Sequence, residues 1–306
     1  MLKLSMLETF VKCGFKDDPF KKNQNFITED SRRIKRIIAM AVKSCALISI
    51  VGERGMGKTR AINTALNNLK IKQIIVRSAD KARLLISDIV QAMILDLSDE
   101  KPKRGKEIQA RQLRRILGEA SIKNDIVLVI EEGHRLHGMT LRSLKTLREM
   151  DWMGETELFS VVLVAQSDPM MKPGVSEVRL RSDTVHMQGL TTDEISGYTR
   201  STVGEIFTDD AINKIAELLE ARNFLNLQNM LVSLMAGMIY SSAEKVDMDA
   251  VINEFDNNAK VMKKRPAVKQ KKQPEKVTEP GKDTLNDFLK NRQNNNGSDV
   301  KMVSVG

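Results

Sequence analysis

The sequence has few of the residues that would build a disulfide framework or a protein-held zinc site. Its 306 residues include two cysteines, Cys13 and Cys45, and three histidines, and no CxxC pair occurs. Disulfide scaffolds and Cys/His zinc sites need closely spaced sets of such ligands. The shortage excludes both classes and predicts a reduced, cytoplasmic setting.

Long apolar runs are also missing, and acids are fewer than bases. No run approaches the ~18 apolar residues of a membrane span, and the first twelve residues are too mixed for a signal peptide. We therefore expect no membrane partner. Lysine and arginine number 49 against 40 acidic residues, a net charge of +9, which favours a polyanionic partner.

A complete phosphate-binding motif, G-x-x-x-x-G-K-[ST], is present between an apolar run, 46–51, and a helical pattern, 60–69. Its residues are Gly52, Glu53, Arg54, Gly55, Met56, Gly57, Lys58 and Thr59, and Arg60 follows directly. A strand, a glycine-rich turn and a helix N-terminus aim backbone N–H groups and a positive dipole end at one point. We predict that this loop binds ATP, with Lys58 reaching the outer phosphates and Thr59 ligating Mg²⁺.

A second apolar run, 125–130, ends in two carboxylates, Glu131 and Glu132. Such a run is typical of a strand buried on both faces of a parallel sheet. Because successive strand side chains point to opposite faces, the two acids are predicted to have different roles. We assign Glu131 to the metal and Glu132 to the attacking water. The first position is usually aspartate, and the longer Glu131 predicts slow turnover.

Strands alternate with helices up to about residue 190, and only helical patterns follow. This order predicts an α/β fold, a P-loop NTPase parallel sheet flanked by helices, followed by a small all-helical lid domain and a disordered basic tail. We divide the chain into an N-terminal lead-in (1–30), an α/β domain (31–190), a helical lid domain (191–258) and the tail (259–306). We expect the aromatic side chains of the lead-in to pack on the α/β domain.

The P-loop, the carboxylate-ended strand and the helical lid together resemble an AAA+ ATPase. Residues 14–20, from Gly-Phe to Pro-Phe, resemble the N-terminal segment of ExeA-related ATPases. Residues 131–136, Glu-Glu-Gly-His-Arg-Leu, are similar to the Asp-Glu-Ala-His-Arg-Leu type found in the transposition regulators MuB and TnsC. The resemblance covers about 14–255. It implies an ATP-dependent homo-oligomer, a ring or a filament, which binds double-stranded DNA with little sequence preference and recruits or activates a transposase.

The resemblance also implies roles for residues outside the two motifs. Gln166 or Ser167, at the end of a strand, would take the sensor 1 position. Arg179 and Arg181 would lie at a subunit edge, where an arginine reaches a neighbour's nucleotide site and stabilises charge on the γ-phosphate. Arg222 lies near the sensor 2 position but is displaced from it by a residue or two.

Binding to duplex DNA needs basic side chains on one face that contact phosphates without reading bases. The candidates are Lys103 and Arg104 in a loop, Arg111, Arg114 and Arg115 on one predicted helix, and Arg142, Lys145 and Arg148 on another. Each group is equally compatible with solvated surface. The lysine-rich stretch 260–276 is a further source of attraction to DNA or to an acidic partner.

Two other functions are compatible with the same nucleotide site. One is a different AAA+ task, such as an ExeA-like role or the loading of replication proteins. The other is an ATP-gated scaffold that hydrolyses little, which the unusual Glu131 and sensor residues favour.

Overall fold

The computed structural model describes residues 4–22, 26–76 and 84–254, which belong to one compact unit, Met1–Ala259. The strands, in chain order, are β1 Leu47–Val51, β2 Ile71–Val76, β3 Asp125–Ile130, β4 Asp151–Trp152, β5 Glu155–Thr156, β6 Ser160–Ala165 and β7 Ser182–His186. The α-helices are α1 Met6–Lys12, α2 Pro19–Lys22, α3 Glu29–Lys43, α4 Lys58–Asn67, α5 Ile86–Leu97, α6 Lys106–Ser121, α7 Gly138–Arg148, α8 Ser176–Arg179, α9 Thr192–Val203, α10 Asp209–Ala216 and α11 Phe224–Ser241. Residues 248–254 are also helical.

Five strands form a parallel sheet in the order β2-β3-β6-β1-β7, while β4 and β5 form a separate antiparallel hairpin. Every side chain of β1 and β6 is buried, because helices cover both faces of the sheet. Strand alternation divides these side chains between two cores. Ile48 and Ile50 join the core under α3 and α4, whereas Leu47 joins the core under α5, α6 and α7. The arrangement is P-loop NTPase-like and confirms the predicted fold class.

Parallel pairing brings the carboxyl ends of the central strands to one edge of the sheet. The register pairs Val51 of β1 with Ala165 of β6, and Ile130 of β3 with Leu163 of β6. The segments that leave these three strands therefore emerge side by side, which is where open α/β sheets bind ligands. The predicted second strand, 72–77, corresponds to β2, and Arg77 lies outside the described residues.

Helix α3 illustrates how local sequence sets an element that supports this edge. Thr28 caps its N-terminus by accepting a hydrogen bond from the Ser31 backbone N–H at 3.1 Å. Ile34 and Ile38, one helical turn apart, lie on the buried face and pack in the core shared with α4. The cap thus fixes where the chain enters the α/β domain.

Helices α9, α10 and α11 surround a third core of their own, which confirms a helical C-terminal region. Phe10 and Phe20 of the lead-in are buried in this core, with ring centroids 5.6 Å apart. The Leu4 backbone N–H also donates to the Tyr240 hydroxyl at 2.8 Å. The expectation that the lead-in aromatics pack on the α/β domain is therefore wrong. Their partners are remote in sequence, because α1 packs against α11 and α2 packs against α9.

No helix in the described part of the chain is long and apolar enough to cross a membrane. The prediction of a basic tail at 259–306 lies outside the described residues, as does its lysine-rich stretch 260–276.

Candidate nucleotide site

The phosphate-binding loop lies between β1 and α4 at the carboxyl edge of the sheet. Gly55 and Gly57 have φ angles of +91° and +86°, a left-handed conformation that glycine adopts without strain. Gly57 is the N-cap of α4, so the backbone N–H groups of the first helical turn are not used within the helix. This geometry suits the phosphates of a nucleotide.

Lys58 is the first residue of α4, and its side chain folds back over the loop. Its Nζ donates to the backbone carbonyls of Gly52 and Glu53, each at 2.7 Å. Burial lowers the pKa of Lys58, and the carboxylates of Glu132 and Glu53 oppose this shift. The ammonium is therefore held inside the loop, and a phosphate oxygen would replace the carbonyls as its partner.

The two carboxylates after β3 reach the same cleft as the loop. The cleft has a volume of about 720 Å³. Its lining residues from the two motifs are Arg54, Gly55, Gly57, Lys58, Thr59, Arg60, Glu131 and Glu132. The structure thus brings together most of the predicted nucleotide and metal residues, while Met56 lines an adjoining pocket.

Strand alternation does not explain how Glu131 and Glu132 differ, contrary to our sequence argument. β3 ends at Ile130, and Glu132 has a φ of +56°, so the chain turns sharply between the two acids. Both side chains line the cleft instead of pointing to opposite faces of a strand. A left-handed non-glycine residue costs about 1–3 kcal/mol, and such residues cluster at functional sites.

The surroundings of Glu132 differ from those expected of a solvated acid. Its Oε2 is shielded from solvent, and within the described ranges its ion-pair partners are His134 Nε2 at 3.4 Å and Arg135 Nε at 3.5 Å. His134 in turn accepts a hydrogen bond at Nδ1 from the Gln166 backbone N–H at 3.3 Å. Gln166, the sensor 1 candidate, lines the cleft, so three segments meet at this point.

A magnesium ion fits the donor set near the loop. The Thr59 hydroxyl and the Glu131 carboxylate line one cleft, and oxygen atoms are the ligands that Mg²⁺ prefers. In the ranges that the structure describes, no three His, Cys, Asp or Glu side chains cluster as a protein-only metal site. Mg²⁺ usually keeps several waters and binds through one or two protein ligands plus phosphates, which this arrangement allows.

The helical region contacts the phosphate-binding loop directly through the start of α11. Asn223 caps that helix by accepting a hydrogen bond from the Leu225 N–H at 3.0 Å. The same side chain donates through Nδ2 to the backbone carbonyl of Arg54 at 2.9 Å. A Cβ atom on Gly55 would lie 2.4 Å from the Cβ of Leu225. The phosphate-binding loop and the start of α11 are thus in close contact, and a side chain larger than that of Gly55 would not fit between them.

Among the described residues of the helical region, no arginine lines this cleft. Its lining side chains are Phe224, Leu225 and Gln228. Arg222, near the predicted sensor 2 position, has an exposed side chain that does not line the cleft. Sequence reasoning missed Asn223 and His134. The available signals were an asparagine directly before an apolar helical stripe and a histidine two residues after the paired acids.

A second pocket of about 250 Å³ adjoins the cleft and shares three lining residues with it, Gly57, Arg60 and Phe224. Its further lining residues come from the lead-in, α3, the phosphate-binding loop, α4 and the segment after β7: Phe26, Ile27, Thr28, Ser31, Met56, Ala61, Thr64 and Met187. Phe26 and Phe224 both stack edge-on against Tyr198, with centroids 5.4 and 5.3 Å apart. The pocket is therefore mostly apolar and bounded by aromatic rings.

The subunit-edge candidates lie away from the chain's own cleft. Arg179 Nε donates to the Met170 carbonyl at 2.8 Å, and Arg181 pairs with Glu149. Both arginines are exposed. Lys145, a DNA-contact candidate, also pairs with Glu149, at 3.9 Å. The predicted subunit edge and one predicted DNA-contact surface therefore share an acidic partner, Glu149.

The three groups of DNA-contact candidates have different environments. In α6, Arg111, Arg114 and Arg115 are at least partly exposed, and the three pair with Glu107, Asp151 and Glu100 respectively. Acidic partners thus offset much of their charge.

In α7 the third candidate, Arg148, is buried and donates to the Cys45 carbonyl at 2.6 Å and to Glu157 at 3.1 Å. Because it is buried, it does not share an open face with Arg142 and Lys145. Helical spacing alone had predicted that the three residues would lie together. Lys103 and Arg104 are exposed, and within the described residues they make no salt bridge.

Comparison with known proteins agrees with this geometry. Residues 41–169 match the family model described as AAA domain. No curated protein matches the chain. The chain is similar in fold to Cdc6p from Pyrobaculum aerophilum, at 13% identity and a TM-score of 0.54, over 75% of this chain and 68% of that one.

Two further structures share the fold. The ORC1 protein of Aeropyrum pernix, in complex with DNA, is 14% identical with a TM-score of 0.52, over 78% of this chain and 67% of that one. A Walker-type ATPase of Pyrococcus abyssi is 12% identical with a TM-score of 0.50, over 88% and 76%.

The fold and the site define the class: this is a protein of the P-loop NTPase fold with a helical region after the sheet. Within that class, residues 41–169 match the AAA domain model, which agrees with the sequence resemblance to AAA+ proteins. Its assignment to the MuB and TnsC group remains a prediction.

Proposed function

We propose that the chain binds ATP with Mg²⁺ in this cleft and hydrolyses it. The observation that carries the proposal is the convergence of Lys58, Thr59, Glu131 and Glu132 on one cleft from two separate segments. A cation, a hydroxyl and two acids are the groups that phosphoryl transfer to water requires.

The smaller pocket supports a nucleoside as the rest of the ligand. It adjoins the first turn of α4, is mostly apolar, and has Phe224 and Phe26 in its wall. An aromatic base gains dispersion and stacking energy in such a wall. We propose that the base of ATP lies there while the phosphates follow the loop towards Lys58.

Each site residue has a defined task in the proposed reaction. Lys58 exchanges its carbonyl partners for β- and γ-phosphate oxygens, and Thr59 with Glu131 would hold Mg²⁺, which neutralises phosphate charge when bound. Glu132 accepts a proton from water while the water oxygen bonds to the γ-phosphorus. The bond from that phosphorus to the bridging oxygen breaks, and ADP leaves.

Two variants test this assignment. Lys58→Ala should abolish ATP binding, measured by calorimetry, because the phosphates lose the ammonium group held inside the loop. Glu132→Gln should keep ATP binding but slow hydrolysis by about 10²–10⁴-fold, since the water loses its base. Lys70→Ala, on an exposed lysine after α4, is the matched control and should change neither quantity. Hydrolysis at the wild-type rate by Glu132→Gln would contradict the assignment.

We propose further that the chain forms a homo-oligomer in which Arg179 or Arg181 acts on a neighbour's nucleotide. Both side chains are exposed and neither lines its own cleft, which supports a role in trans. Mixing the Arg179→Ala,Arg181→Ala protein with the Lys58→Ala protein should restore some hydrolysis at hybrid interfaces. Sedimentation as a monomer with ATP, at all protein and salt concentrations, would rule the proposal out.

Double-stranded DNA is the proposed partner of this oligomer, contacted through its phosphates. Support comes from the net charge of +9 and from the exposed Lys103 and Arg104, neither of which forms a salt bridge in the described part of the chain. The double alanine variant at these two positions should lower affinity and reduce the salt slope by about one for each phosphate that is no longer neutralised. The Arg111→Ala variant removes one positive charge already paired with Glu107 and serves as the comparison.

The DNA proposal fails if the double variant has the same affinity and the same salt dependence as Arg111→Ala. Deleting 259–306 provides the second arm of the same experiment. We expect the truncated protein to keep ATP-dependent assembly on DNA with lower overall affinity, because phosphate contacts in the folded part remain. Loss of all DNA binding on truncation would instead assign DNA binding to the tail.

The biological task that we propose is recruitment or activation of a transposase by the DNA-bound assembly. It rests on the resemblance of residues 131–136 to the transposition regulators. An assay of strand transfer with and without ATP tests it, and loading of a replication helicase in a parallel assay would favour the alternative AAA+ task.

A scaffold with little hydrolysis is the second candidate. The specific observation in its favour is that Oε2 of Glu132 faces His134 and Arg135 in a shielded position. DNA-stimulated phosphate release distinguishes the two functions, because an ATP-gated scaffold would bind DNA with ATP yet release no phosphate above the Glu132→Gln background.

A further inference from the structure

His134 is held firmly at the carboxyl edge of the sheet by contacts to its backbone. It belongs to a short 3₁₀ turn, Gly133–Arg135, that follows Glu132 directly. A Cβ atom on Gly133 would lie 3.2 Å from the Cβ of Leu163, so the turn packs tightly on β6. Lys172 Nζ donates to the His134 carbonyl at 2.6 Å. The ring therefore projects from a fixed backbone.

The two ring nitrogens face different partners. Nδ1 accepts a hydrogen bond from the Gln166 N–H, so a neutral ring carries its proton on Nε2. Nε2 lies 3.4 Å from Oε2 of Glu132. The two atoms do not form a hydrogen bond in this structure, where Oε2 has no hydrogen-bond partner among the described residues. Hydrogen bonds between catalytic groups commonly shorten only when the substrate binds. His134 thus connects the end of β6 to the carboxylate that follows β3.

We propose that His134 is a positioning residue that orients the carboxylate of Glu132 towards the attacking water. The inference rests on the proposed hydrolysis of ATP and adds a residue to it. When the Nε2–H group closes this 3.4 Å gap and donates to Oε2, it restrains rotation of the carboxylate, so the direction of the other oxygen is also set. Groups that orient a catalytic side chain in this way are part of the pre-organised site.

The two donor–acceptor relations of His134 can be separated by substitution. The side-chain nitrogen of glutamine can take the place of Nε2 and donate to Glu132. The side-chain oxygen of asparagine can take the place of Nδ1 and accept from Gln166, without reaching Glu132. A role in orienting Glu132 therefore predicts that His134→Gln is active and His134→Asn is not. A role confined to the packing of the turn predicts no such order.

The experiment measures kcat and KM for ATP hydrolysis, together with ATP binding by calorimetry. We expect His134→Ala and His134→Asn to lower kcat by about 10- to 100-fold, the scale of a misplaced catalytic group, with KM and ATP affinity unchanged. His134→Gln should restore most of the lost kcat. His186→Ala, a control on an exposed histidine of β7, should match the wild type.

A double-mutant cycle completes the test. In a Glu132→Gln background, His134→Ala should cause no further loss, because the carboxylate it orients is gone. The proposal is overturned if His134→Asn and His134→Gln are equally impaired, or if the losses at the two positions add. Absence of hydrolysis in the wild type, with ATP still bound, would instead refute the proposed function itself.

Discussion

Substituting Gly55 by alanine gives a direct measure of the contact between the phosphate-binding loop and the helical region. The loop motif places no restriction on this position. In the structure, however, Gly55 has a φ of +91°, and a Cβ atom there would lie 2.4 Å from the Leu225 Cβ and 2.5 Å from Oδ1 of Asn223. Alanine is therefore unfavourable for two reasons: its backbone is strained at this φ, and its Cβ atom clashes with the start of α11.

The expected loss in the free energy of unfolding is the sum of these two effects. A left-handed alanine costs about 1–2 kcal/mol relative to glycine. The clash forces the start of α11 away from the loop and breaks the hydrogen bond from Asn223 to the Arg54 carbonyl, a further loss of about 0.5–1.5 kcal/mol. Together they predict that the free energy of unfolding falls by about 1.5–3.5 kcal/mol.

A matched control separates the two contributions. Gly154, in the β4–β5 hairpin, has the same φ of +91°, but no atom lies within 4 Å of the position of its Cβ. Gly154→Ala should therefore lose only the backbone contribution, about 1–2 kcal/mol. Urea unfolding of the two variants and the wild type provides the comparison, and calorimetry should also show weaker ATP binding for Gly55→Ala alone. Equal losses of stability in the two variants would refute the proposed contact between loop and lid.

Two further substitutions test other tertiary contacts by chemical unfolding. Arg148→Ala should lose about 1–3 kcal/mol, because the partly buried Cys45 carbonyl loses its donor. Arg111→Ala, on a highly exposed ion pair, should be indistinguishable from the wild type. Equal stability of these two variants would contradict the buried role of Arg148. Gly118→Ala should cost about 1–3 kcal/mol through overpacking, because the new Cβ would lie 2.1 Å from the Trp152 ring. An unchanged stability would mean that the ring moves aside freely.

The site could be recognised from the sequence because many of its residues lie close together along the chain. The loop from Gly52 to Thr59 is one contiguous segment, and its chemistry follows from its own turn and helix start. The apolar run before Glu131 likewise indicates a buried strand. Both patterns depend on short-range geometry, so a linear reading was sufficient to predict the P-loop NTPase fold and most of the motif residues that line the cleft, although not the residues that the helical region contributes.

Helical spacing was a weaker guide where burial decides the outcome. Arg142, Lys145 and Arg148 recur at helical intervals, yet Arg148 is buried beneath the chain near Cys45 and Glu157. Periodicity shows which residues share a side of a helix but not what packs against that side. The same limit affected the two acids after β3, since the left-handed turn at Glu132 is not evident from strand alternation.

The sequence by itself determined the elements and their local chemistry: buried strands, a phosphate-binding loop, a carboxylate pair and a later all-helical region. Only the tertiary structure decided which distant segments meet. It placed Phe10 in the core of the helical region, Asn223 on the loop at Arg54, and His134 between Glu132 and Gln166. The physical reason is that local preferences depend on neighbours along the chain, whereas these contacts depend on complementary surfaces that meet only when the whole chain has folded.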